Sequence, residues 1–339
     1  MTILVTGAAG FIGMGVARHL LERGDTVIGI DDFNAYYPVE LKRARVAELD
    51  RIASGRFTMK QVDFANHEAL DRALENESVD RIIHLGAQPG VRYSIENPRA
   101  YAQSNLIGHL NLLECARQRR VGHMVYASSS SVYGGNEKLP FGVDDRVDHP
   151  VSLYAATKKA DELMSEAYAG LYRIPLTGLR FFTVYGPWGR PDMAVWGFTE
   201  AVLADVPIKV FNHGDMLRDF TYIDDIVAGV AAALDHPPHD DGEAKPGGSR
   251  TPHTIYNIGN NRPERLEHLI DLIEQACGRK AIREYHPMQA GDVPATYADI
   301  SAIHADLGFA PRTSLDVGVP RFVEWYRDYR ERRPATASA

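Results

Sequence analysis

Hydrophobic positions along the chain alternate between short apolar runs and longer stretches with helical spacing. The first runs predict a strand over residues 3–5, a helix over 11–23, a strand over 26–30 and a helix over 39–53. This alternation is typical of a parallel sheet covered by helices on both faces. Central strands of such a sheet are buried on both faces, which explains why these runs do not alternate between apolar and polar residues. We therefore expect an α/β fold.

The same pattern continues through the chain and then changes after Phe182. Further strands are expected at 81–85, 123–127, 176–181 and 254–258, and further helices at 98–117, 153–171 and 222–234. Residues 186–191 are rich in Pro, Gly and Trp, which indicates the start of a second, smaller lobe. The predicted division is 1–182 with later elements from 215–258 for the first lobe, 183–214 and 259–330 for an interleaved second α/β lobe, and 331–339 for a disordered tail.

Composition narrows the class of protein. The chain has 339 residues with 37 basic and 45 acidic side chains, and its net charge is -8. Nucleic acids and anionic membranes are bound by clustered Lys and Arg. Because this chain is acidic overall, we expect neither as a partner. The two cysteines, Cys115 and Cys277, lie in amphipathic runs and predict core thiols rather than a metal site. No run of about 18 apolar residues occurs, and we expect a cytoplasmic protein without a membrane segment.

A glycine-rich segment follows the first predicted strand and opens the first predicted helix. Gly7, Gly10 and Gly13 allow the backbone to approach a pyrophosphate, which the N–H groups at the helix start attract. A plain tight turn is the alternative. Asp31 directly follows the second predicted strand, where a carboxylate accepts from a ribose hydroxyl and repels a 2′-phosphate. NAD is therefore favoured over NADP as the cofactor.

Tyr154 and Lys158 form a second candidate site. They are four residues apart in a predicted helix, so both side chains lie on one face. A tyrosine ionises about three pH units too high to act as a base at neutral pH, and a neighbouring ammonium stabilises its phenolate. The serines at 128–131 supply hydroxyls at a predicted strand end. Alone, the Tyr–Lys spacing is also typical of an ordinary surface pair, but its combination with the glycine-rich segment favours catalysis.

These motifs together resemble those of the extended short-chain dehydrogenase/reductase family of nucleotide-sugar enzymes. The matching segments are TGAAGFIG at 6–13, SSSSVYG at 128–134, YAATK at 154–158, RFFTVYGP at 180–187 and RDFTYIDD at 218–225. The resemblance implies a Rossmann-type doubly wound parallel sheet that binds NAD, and a second lobe that binds a UDP-sugar. It also implies a homodimer built from the helices at 98–117 and 153–171.

The resemblance assigns a role to individual residues. Ser129 is the implied catalytic hydroxyl, Tyr154 the base and Lys158 the residue that lowers the pKa of that base. Tyr154 is expected to take the proton of a sugar hydroxyl while hydride passes to NAD. The implied cofactor-binding residues are Gly7, Gly10, Phe11, Ile12, Gly13, Asp31, Asp32, Asn34, Asp63, Phe64, Leu85, Gly86, Ala87, Gln88, Asn105, Tyr154, Lys158, Phe181 and Val184.

Residues that differ between subgroups of the family narrow the range of expected reactions and substrates. Dehydratases and UDP-glucuronate decarboxylases of the family carry a Glu where this chain has Ser131, which favours an epimerase. Arg190 with its flanking residues looks like the UDP-glucuronate 4-epimerase subgroup, in which an arginine suits the substrate carboxylate. The implied substrate-binding residues are Arg92, Ser129, Ser130, Ser131, Tyr154, Thr183, Arg190, Lys209, Val210, Phe211, Arg218, Gln289 and Asp292.

Several alternatives remain open at this point. Arg190 can pair with Asp192 instead of a substrate, and Gln289 stands where the family has an Arg that contacts phosphate. Lys209 to Phe211 are expected to form a strand along the uracil. The chain can also be another UDP-sugar 4-epimerase, a decarboxylase that uses other groups, or a non-catalytic sensor of NAD or a nucleotide sugar.

Overall fold

The computed structural model describes residues 1–289 and 291–332. The strands are β1 (Thr2–Thr6), β2 (Thr26–Asp31), β3 (Phe57–Gln61), β4 (Arg81–His84), β5 (His123–Ser129), β6 (Leu176–Phe181), β7 (Thr183–Tyr185), β8 (Ile208–Val210), β9 (Leu217–Tyr222), β10 (His253–Ile258), β11 (Pro263–Arg265) and β12 (Arg283–Tyr285). The helices are α1 (Phe11–Arg23), α2 (Val39–Ile52), α3 (His67–Leu74), α4 (Tyr93–Glu96), α5 (Pro98–Tyr101), α6 (Gly108–Arg119), α7 (Leu153–Tyr172), α8 (Ala194–Ala204), α9 (Ile223–Asp235), α10 (Leu266–Cys277), α11 (Ser301–Leu307) and α12 (Leu315–Arg332).

A seven-stranded sheet forms the centre of the first lobe. Its order is β3-β2-β1-β4-β5-β6-β10, and every neighbouring pair is parallel. Successive side chains of β1 pack into two different apolar clusters: Ile3 and Val5 belong to one cluster and Leu4 to another. The sheet is therefore buried on both faces, and the predicted Rossmann-type fold is confirmed.

The second lobe contains two smaller sheets. One has the order β11-β9-β7 and the other joins β12 to β8. The chain returns to the first lobe in between, because β10 pairs with β6 in the large sheet and α9 packs against α1 and β5. The predicted division stays a prediction: it assigns 183–214 and 259–330 to the second lobe and 215–258 to the first. Within 215–258, however, β9 pairs with strands of the second lobe.

Three local features differ from the expected elements. The helix predicted over 98–117 is divided into α5, a π-helical segment at Ala102–Ile107 and α6. Phe211 lies outside β8 and begins a turn in which Asn212 and His213 both have positive φ, a conformation that ends an extended strand. The last helix continues to Arg332, and the remainder of the predicted tail, 333–339, lies outside the described residues.

The strand order reverses between β1 and β4. In doubly wound sheets the crevice at the carboxyl ends of the strands on either side of this point is where ligands bind. Both the glycine-rich segment after β1 and the serines at the end of β5 lie at this edge. None of the helices in the described part of the chain is long and apolar enough to cross a bilayer.

Candidate active site

One large cleft lies at the carboxyl edge of the parallel sheet and extends into the second lobe. Its volume is about 750 Å³, within the range of small-molecule sites. Predicted cofactor residues that line it are Gly7, Gly10, Phe11, Ile12, Gly13, Asp31, Asp32, Asn34, Phe64, Leu85, Gly86, Ala87, Tyr154, Lys158, Phe181 and Val184. Predicted substrate residues that line it are Arg92, Ser129, Ser130, Ser131, Thr183, Arg190, Lys209, Phe211, Arg218 and Asp292. The fold thus brings most of the candidate residues together.

The turn between β1 and α1 requires glycine for steric reasons. Gly7 has φ +68°, and a Cβ there would lie 2.9 Å from the backbone of Gly86. A Cβ on Gly13 would lie 2.0 Å from the carbonyl oxygen of Gly7. No side chain caps the start of α1, where Gly10 is the N-cap, so the first N–H groups of the helix face the cleft without a side-chain acceptor. This geometry is typical of a phosphate-binding turn.

Asp31 lies at the end of β2 and has a cationic neighbour that the sequence did not predict. Its carboxylate accepts a hydrogen bond from the N–H of Phe33 at 2.9 Å, and Lys42 Nζ lies 3.4 Å away. Burial raises the pKa of Asp31, and Lys42 opposes that rise. The carboxylate lines the cleft at the position expected for a ribose ligand, while Lys42 balances part of its charge.

The candidate acid–base residues Ser129, Tyr154 and Lys158 all line the cleft. Ser152 caps α7 by accepting from the N–H of Ala155, and this cap fixes the start of the helix that carries Tyr154 and Lys158. Lys158 Nζ donates to the carbonyl oxygen of Ala127 on β5 at 2.9 Å. From the end of that strand, Ser129 donates its hydroxyl to Ser131 Oγ at 3.1 Å.

Arg190 projects into the same cleft from the turn after β7. Its Nε and Nη2 donate to the two carboxylate oxygens of Asp192 at 2.9 and 2.5 Å, and Tyr36 donates its hydroxyl to Asp192 at 3.2 Å. Burial opposes the charge on Arg190, but Asp192 together with the neighbouring Tyr36 and Tyr37 outweighs burial, so the pKa of the guanidinium is raised. The pairing considered as an alternative in the sequence therefore exists, and it leaves further N–H donors of Arg190 for an anion.

Three more basic groups line the second-lobe side of the cleft. Arg218 donates to Asp292 at 2.7 Å and to the carbonyl oxygen of Val293 at 2.7 Å. The guanidinium of Arg92 lies 5.2 Å from the ring centre of Phe211, and Lys209 completes this group. These side chains place positive charge beside the cleft. Among the described residues, no group of three or more His, Cys, Asp or Glu side chains could hold a metal ion.

Five predicted site residues lie outside the lining of the cleft: Asp63, Gln88, Asn105, Val210 and Gln289. Asp63 accepts from the N–H of Ala65, so its carboxylate organises a turn. Asn105 accepts from the N–H of Gln88 and donates to Thr157, which connects the cleft wall to α7. Val210 is fully buried. Gln289 has a buried Oε1 with no hydrogen-bond partner among the described residues.

Arg45 lies behind the cleft lining and connects two of its turns, a role that the sequence analysis missed. Its buried guanidinium donates to the carbonyl oxygens of Ala9, Trp188 and Gly189 at 3.0, 2.7 and 2.9 Å, and to the hydroxyl of Tyr37 at 2.8 Å. It therefore joins the glycine-rich turn to the turn that carries Arg190. The spacing of α2 marks Arg45 as a polar position in a helix, and no local pattern reveals contacts with residues 143 positions away.

Comparison with known proteins places this geometry in a family. The sequence pattern of the NAD dependent epimerase/dehydratase family matches residues 3–259. A probable UDP-glucuronate 4-epimerase of Rhizobium meliloti (strain 1021) is 46% identical over 97% of this chain and 98% of its own length. UDP-glucuronate 4-epimerase 4 of Arabidopsis thaliana is 48% identical over 97% of this chain and 76% of its own length.

A solved structure extends the similarity to three dimensions. UDP-glucuronic acid 4-epimerase from Bacillus cereus, in complex with UDP-glucuronic acid and NAD, superposes with a TM-score of 0.85 at 32% identity. The match covers 97% of this chain and 100% of the other. With the family pattern covering most of the chain and full-length relatives well above 30% identity, this chain belongs to the NAD dependent epimerase/dehydratase family.

Proposed function

We propose that the protein interconverts UDP-glucuronate and UDP-galacturonate by NAD-dependent epimerisation at C4 of the sugar. One observation carries the proposal: an acid–base pair on α7, a cofactor turn after β1 and an arginine suited to a carboxylate all line a single cleft. The similarity to UDP-glucuronate 4-epimerases over nearly the whole chain supports it.

The cleft fits NAD. Gly13 leaves no room for a side chain against Gly7, the N–H groups of α1 suit a pyrophosphate, and Asp31 suits an unphosphorylated adenosine ribose. Lys158 faces the cleft beside the end of β5, where its ammonium can hold the second ribose. When bound, NAD supplies the chemistry of accepting a hydride from C4 of the sugar and returning it.

Tyr154 and Ser129 handle the proton at C4. Tyr154 as phenolate removes the proton of the C4 hydroxyl, which is general base catalysis and allows the carbon to be oxidised to a ketone. The ammonium of Lys158 stabilises the phenolate. Ser129 lies at the end of β5, where its hydroxyl can donate to the C4 oxygen, and the same groups return the proton after reduction of the opposite face.

Arg190 and the serines hold the C5 carboxylate. A 4-keto uronic acid is a β-keto acid that loses carbon dioxide readily, so the site must fix the carboxylate during the lifetime of the ketone. The remaining N–H donors of Arg190 give charge-assisted bonds to this anion. The hydroxyls of Ser130, Ser131 and Thr183 line the same cleft and can donate to it. Related dehydratases and decarboxylases have a Glu where this chain has Ser131. The chain therefore lacks a carboxylate at that position.

Arg92 and Arg218 suit the UDP portion of the substrate. Both guanidinium groups line the second-lobe side of the cleft, where a diphosphate can pair with them. In the structure Arg218 binds Asp292, which is the expected ligand of the uridine ribose. We infer that nucleotide binding shares or exchanges this contact.

We also propose that the protein is a cytoplasmic homodimer. Apolar side chains on α7 are exposed, including Leu163 at 59% and Leu171 at 73%. Exposed apolar surface of this kind on a helix favours association with a second chain. A two-fold dimer formed through α6 and α7 would cover these residues in both copies.

The function is tested by incubating the purified protein with UDP-glucuronate and no added NAD, then separating the products by chromatography. Formation of UDP-galacturonate is expected. A UDP-pentose with release of carbon dioxide would indicate a decarboxylase instead. No conversion of UDP-glucuronate, even when NAD is added, would contradict the proposal and favour a sensor or another substrate.

A further inference from the structure

Lys158 forms a buried ion pair that the proposed mechanism does not use. Its Nζ lies 3.0 Å from Asp161 Oδ2, and the two side chains are 3% and 0% exposed. The other carboxylate oxygen, Oδ1, is buried and has no hydrogen-bond partner among the described residues. A carboxylate in this position is costly to bury, so the pairing with Lys158 is its main compensation.

The other ionisable groups around this pair add little net charge at neutral pH. They are His84 of β4, His109 of α6, Tyr126 of β5, Arg180 of β6 and Glu162 of α7. Burial, assisted by Lys158, lowers the pKa of His84 to about 3. Burial also places the pKa of His109 well below its usual value and that of Tyr126 well above, so all three are neutral.

The last two groups compensate each other. Glu162 accepts from Arg180 at 2.8 and 3.0 Å, from the hydroxyl of Ser128 at 2.7 Å and from the partly exposed Lys159 at 3.3 Å. The ion pair cancels most of the field of both charges. Asp161 is the carboxylate that pairs directly with the ammonium of Lys158.

Tyr154, Lys158 and Asp161 occupy positions i, i+4 and i+7 of α7, so they lie along one face of the helix. The ammonium of Lys158 stabilises the phenolate of Tyr154, and a charged Asp161 cancels part of that stabilisation. A neutral side chain of the same shape at 161 would hold Lys158 in place without this cancellation.

We propose that Asp161 is a positioning residue that anchors Lys158 and, through its charge, sets the pH range in which Tyr154 acts as the base. The proposal rests on the proposed function, in which Tyr154 and Lys158 are the acid–base pair. It assigns to Asp161 a role exerted entirely through Lys158, without contact with the substrate.

The ionisation of Asp161 itself supports this role. Burial raises the pKa of Asp161 to about 6, while Lys158 opposes the rise. At neutral pH the carboxylate is charged and makes Tyr154 harder to ionise. As the pH falls through about 6, Asp161 takes up a proton and the field of Lys158 on Tyr154 strengthens.

The size of the effect follows from the helix geometry. Residues seven apart on a helix are separated by about 10 Å along its axis. At an effective dielectric constant of about 20, one charge at that distance shifts a pKa by on the order of one unit. Removing the charge of Asp161 is therefore expected to move the pH dependence of epimerisation by roughly half to one unit.

The test compares Asp161→Asn with the unaltered protein, both carrying NAD. Two quantities are followed against pH: the acid limb of the epimerisation rate, and the near-ultraviolet absorbance of tyrosinate after subtraction of the Tyr154→Phe signal. Both midpoints are expected to move to lower pH by roughly half to one unit in Asp161→Asn. Glu166→Gln, which also removes a carboxylate from α7 but lies near His253, is expected to leave both midpoints unchanged.

The outcomes separate this proposal from the function on which it rests. Tyr154→Phe is expected to lower the epimerisation rate by about 10²- to 10⁴-fold, the usual range for loss of a general base. If Tyr154→Phe retains full activity, the proposed role of Tyr154 is wrong. If Tyr154→Phe is inactive but Asp161→Asn shows unshifted midpoints, the proposal for Asp161 alone is overturned. Asp161→Ser serves as a second neutral variant if Asp161→Asn does not fold.

Discussion

Two side chains carry separable parts of the proposed chemistry. Tyr154 lies on α7, and in the proposed mechanism it removes and returns the proton at C4. Arg190 lies on a turn that follows β7 and is held by Asp192. Substitution of Arg190 should therefore change recognition of the carboxylate, while the cofactor site after β1 stays intact.

Arg190→Met tests this separation. Loss of the guanidinium removes charge-assisted bonds to the carboxylate, and we expect kcat/KM for UDP-glucuronate to fall by about 10- to 100-fold. The 4-keto intermediate should also lose carbon dioxide more often, because its carboxylate is no longer fixed. Steady-state kinetics and product chromatography measure both effects. Arg146→Met, which removes an exposed partner of Asp148 outside the cleft, is the control. Equal kcat/KM in Arg190→Met and Arg146→Met would contradict the role of Arg190.

Residues whose role depends on local spacing could be predicted from the sequence. Tyr154 and Lys158 can be recognised as a pair because their spacing places them on one helix face. The segment from Gly7 to Gly13 can be recognised because its glycines belong to a single turn. Arg45 and Asp161 could not be found in this way. The role of Arg45 comes from carbonyl groups distant in sequence, and that of Asp161 from its burial beside Lys158.

At the scale of elements, the apolar pattern predicted α1 and β6 with the bounds that the structure has. It did not predict the π-helical segment Ala102–Ile107. A single widened turn scarcely changes the spacing of apolar residues, so the pattern of apolar positions does not reveal a π-helical segment. The segment contains Asn105, whose bonds to Gln88 and Thr157 are tertiary contacts that no local pattern encodes.

Arg45 on α2 connects two loops to which we assign different ligands. It bonds the carbonyl oxygen of Ala9 in the cofactor turn and those of Trp188 and Gly189 beside Arg190. Trp188 has a φ of +65°, a conformation that a non-glycine residue adopts only when its surroundings hold it. We infer that Arg45 holds the Arg190 turn in register with the cofactor site.

Arg45→Lys tests the connection, since one ammonium cannot span acceptors that a planar guanidinium bridges. We expect KM for UDP-glucuronate to rise about 10-fold, on the scale of one lost charge-assisted hydrogen bond, with a smaller change in kcat. Thermal unfolding with and without NAD should show a reduced stabilisation by the cofactor. Arg43→Lys, on the same helix, is the matched control. A lower melting temperature with unchanged KM and unchanged response to NAD would mean that Arg45 serves stability alone.

At the scale of the whole molecule, net charge says little about the ligand. The chain carries -8 overall, yet the proposed substrate is anionic at both its diphosphate and its carboxylate. Six basic side chains line the cleft beside five acidic ones, so the lining has a small positive balance within an acidic chain; the basic ones are Lys42, Arg92, Lys158, Arg190, Lys209 and Arg218, and the acidic ones Asp31, Asp32, Glu96, Asp192 and Asp292. An acidic net charge on the whole chain therefore does not prevent a cleft with its own cationic side chains from binding an anion.

The exposed apolar residues of α7 predict the assembly state. Light scattering after gel filtration should give twice the mass of one chain. Leu163→Glu combined with Leu171→Glu should reduce this to the mass of one chain, because the added charges cannot be buried in a dimer interface. Val206→Glu replaces an apolar residue of similar exposure outside α6 and α7, and it should leave the mass unchanged. A single-chain mass for the unaltered protein at all concentrations would refute the dimer.

The fate of the hydrogen on C4 tests the proposed reaction most directly. UDP-glucuronate deuterated at C4 is incubated with the protein in ordinary water, and the products are separated and examined by NMR spectroscopy. Oxidation and reduction at C4 through one bound NAD predict UDP-galacturonate that retains deuterium at C4. UDP-galacturonate with hydrogen from water at C4, a UDP-pentose, or no conversion would contradict the proposed function.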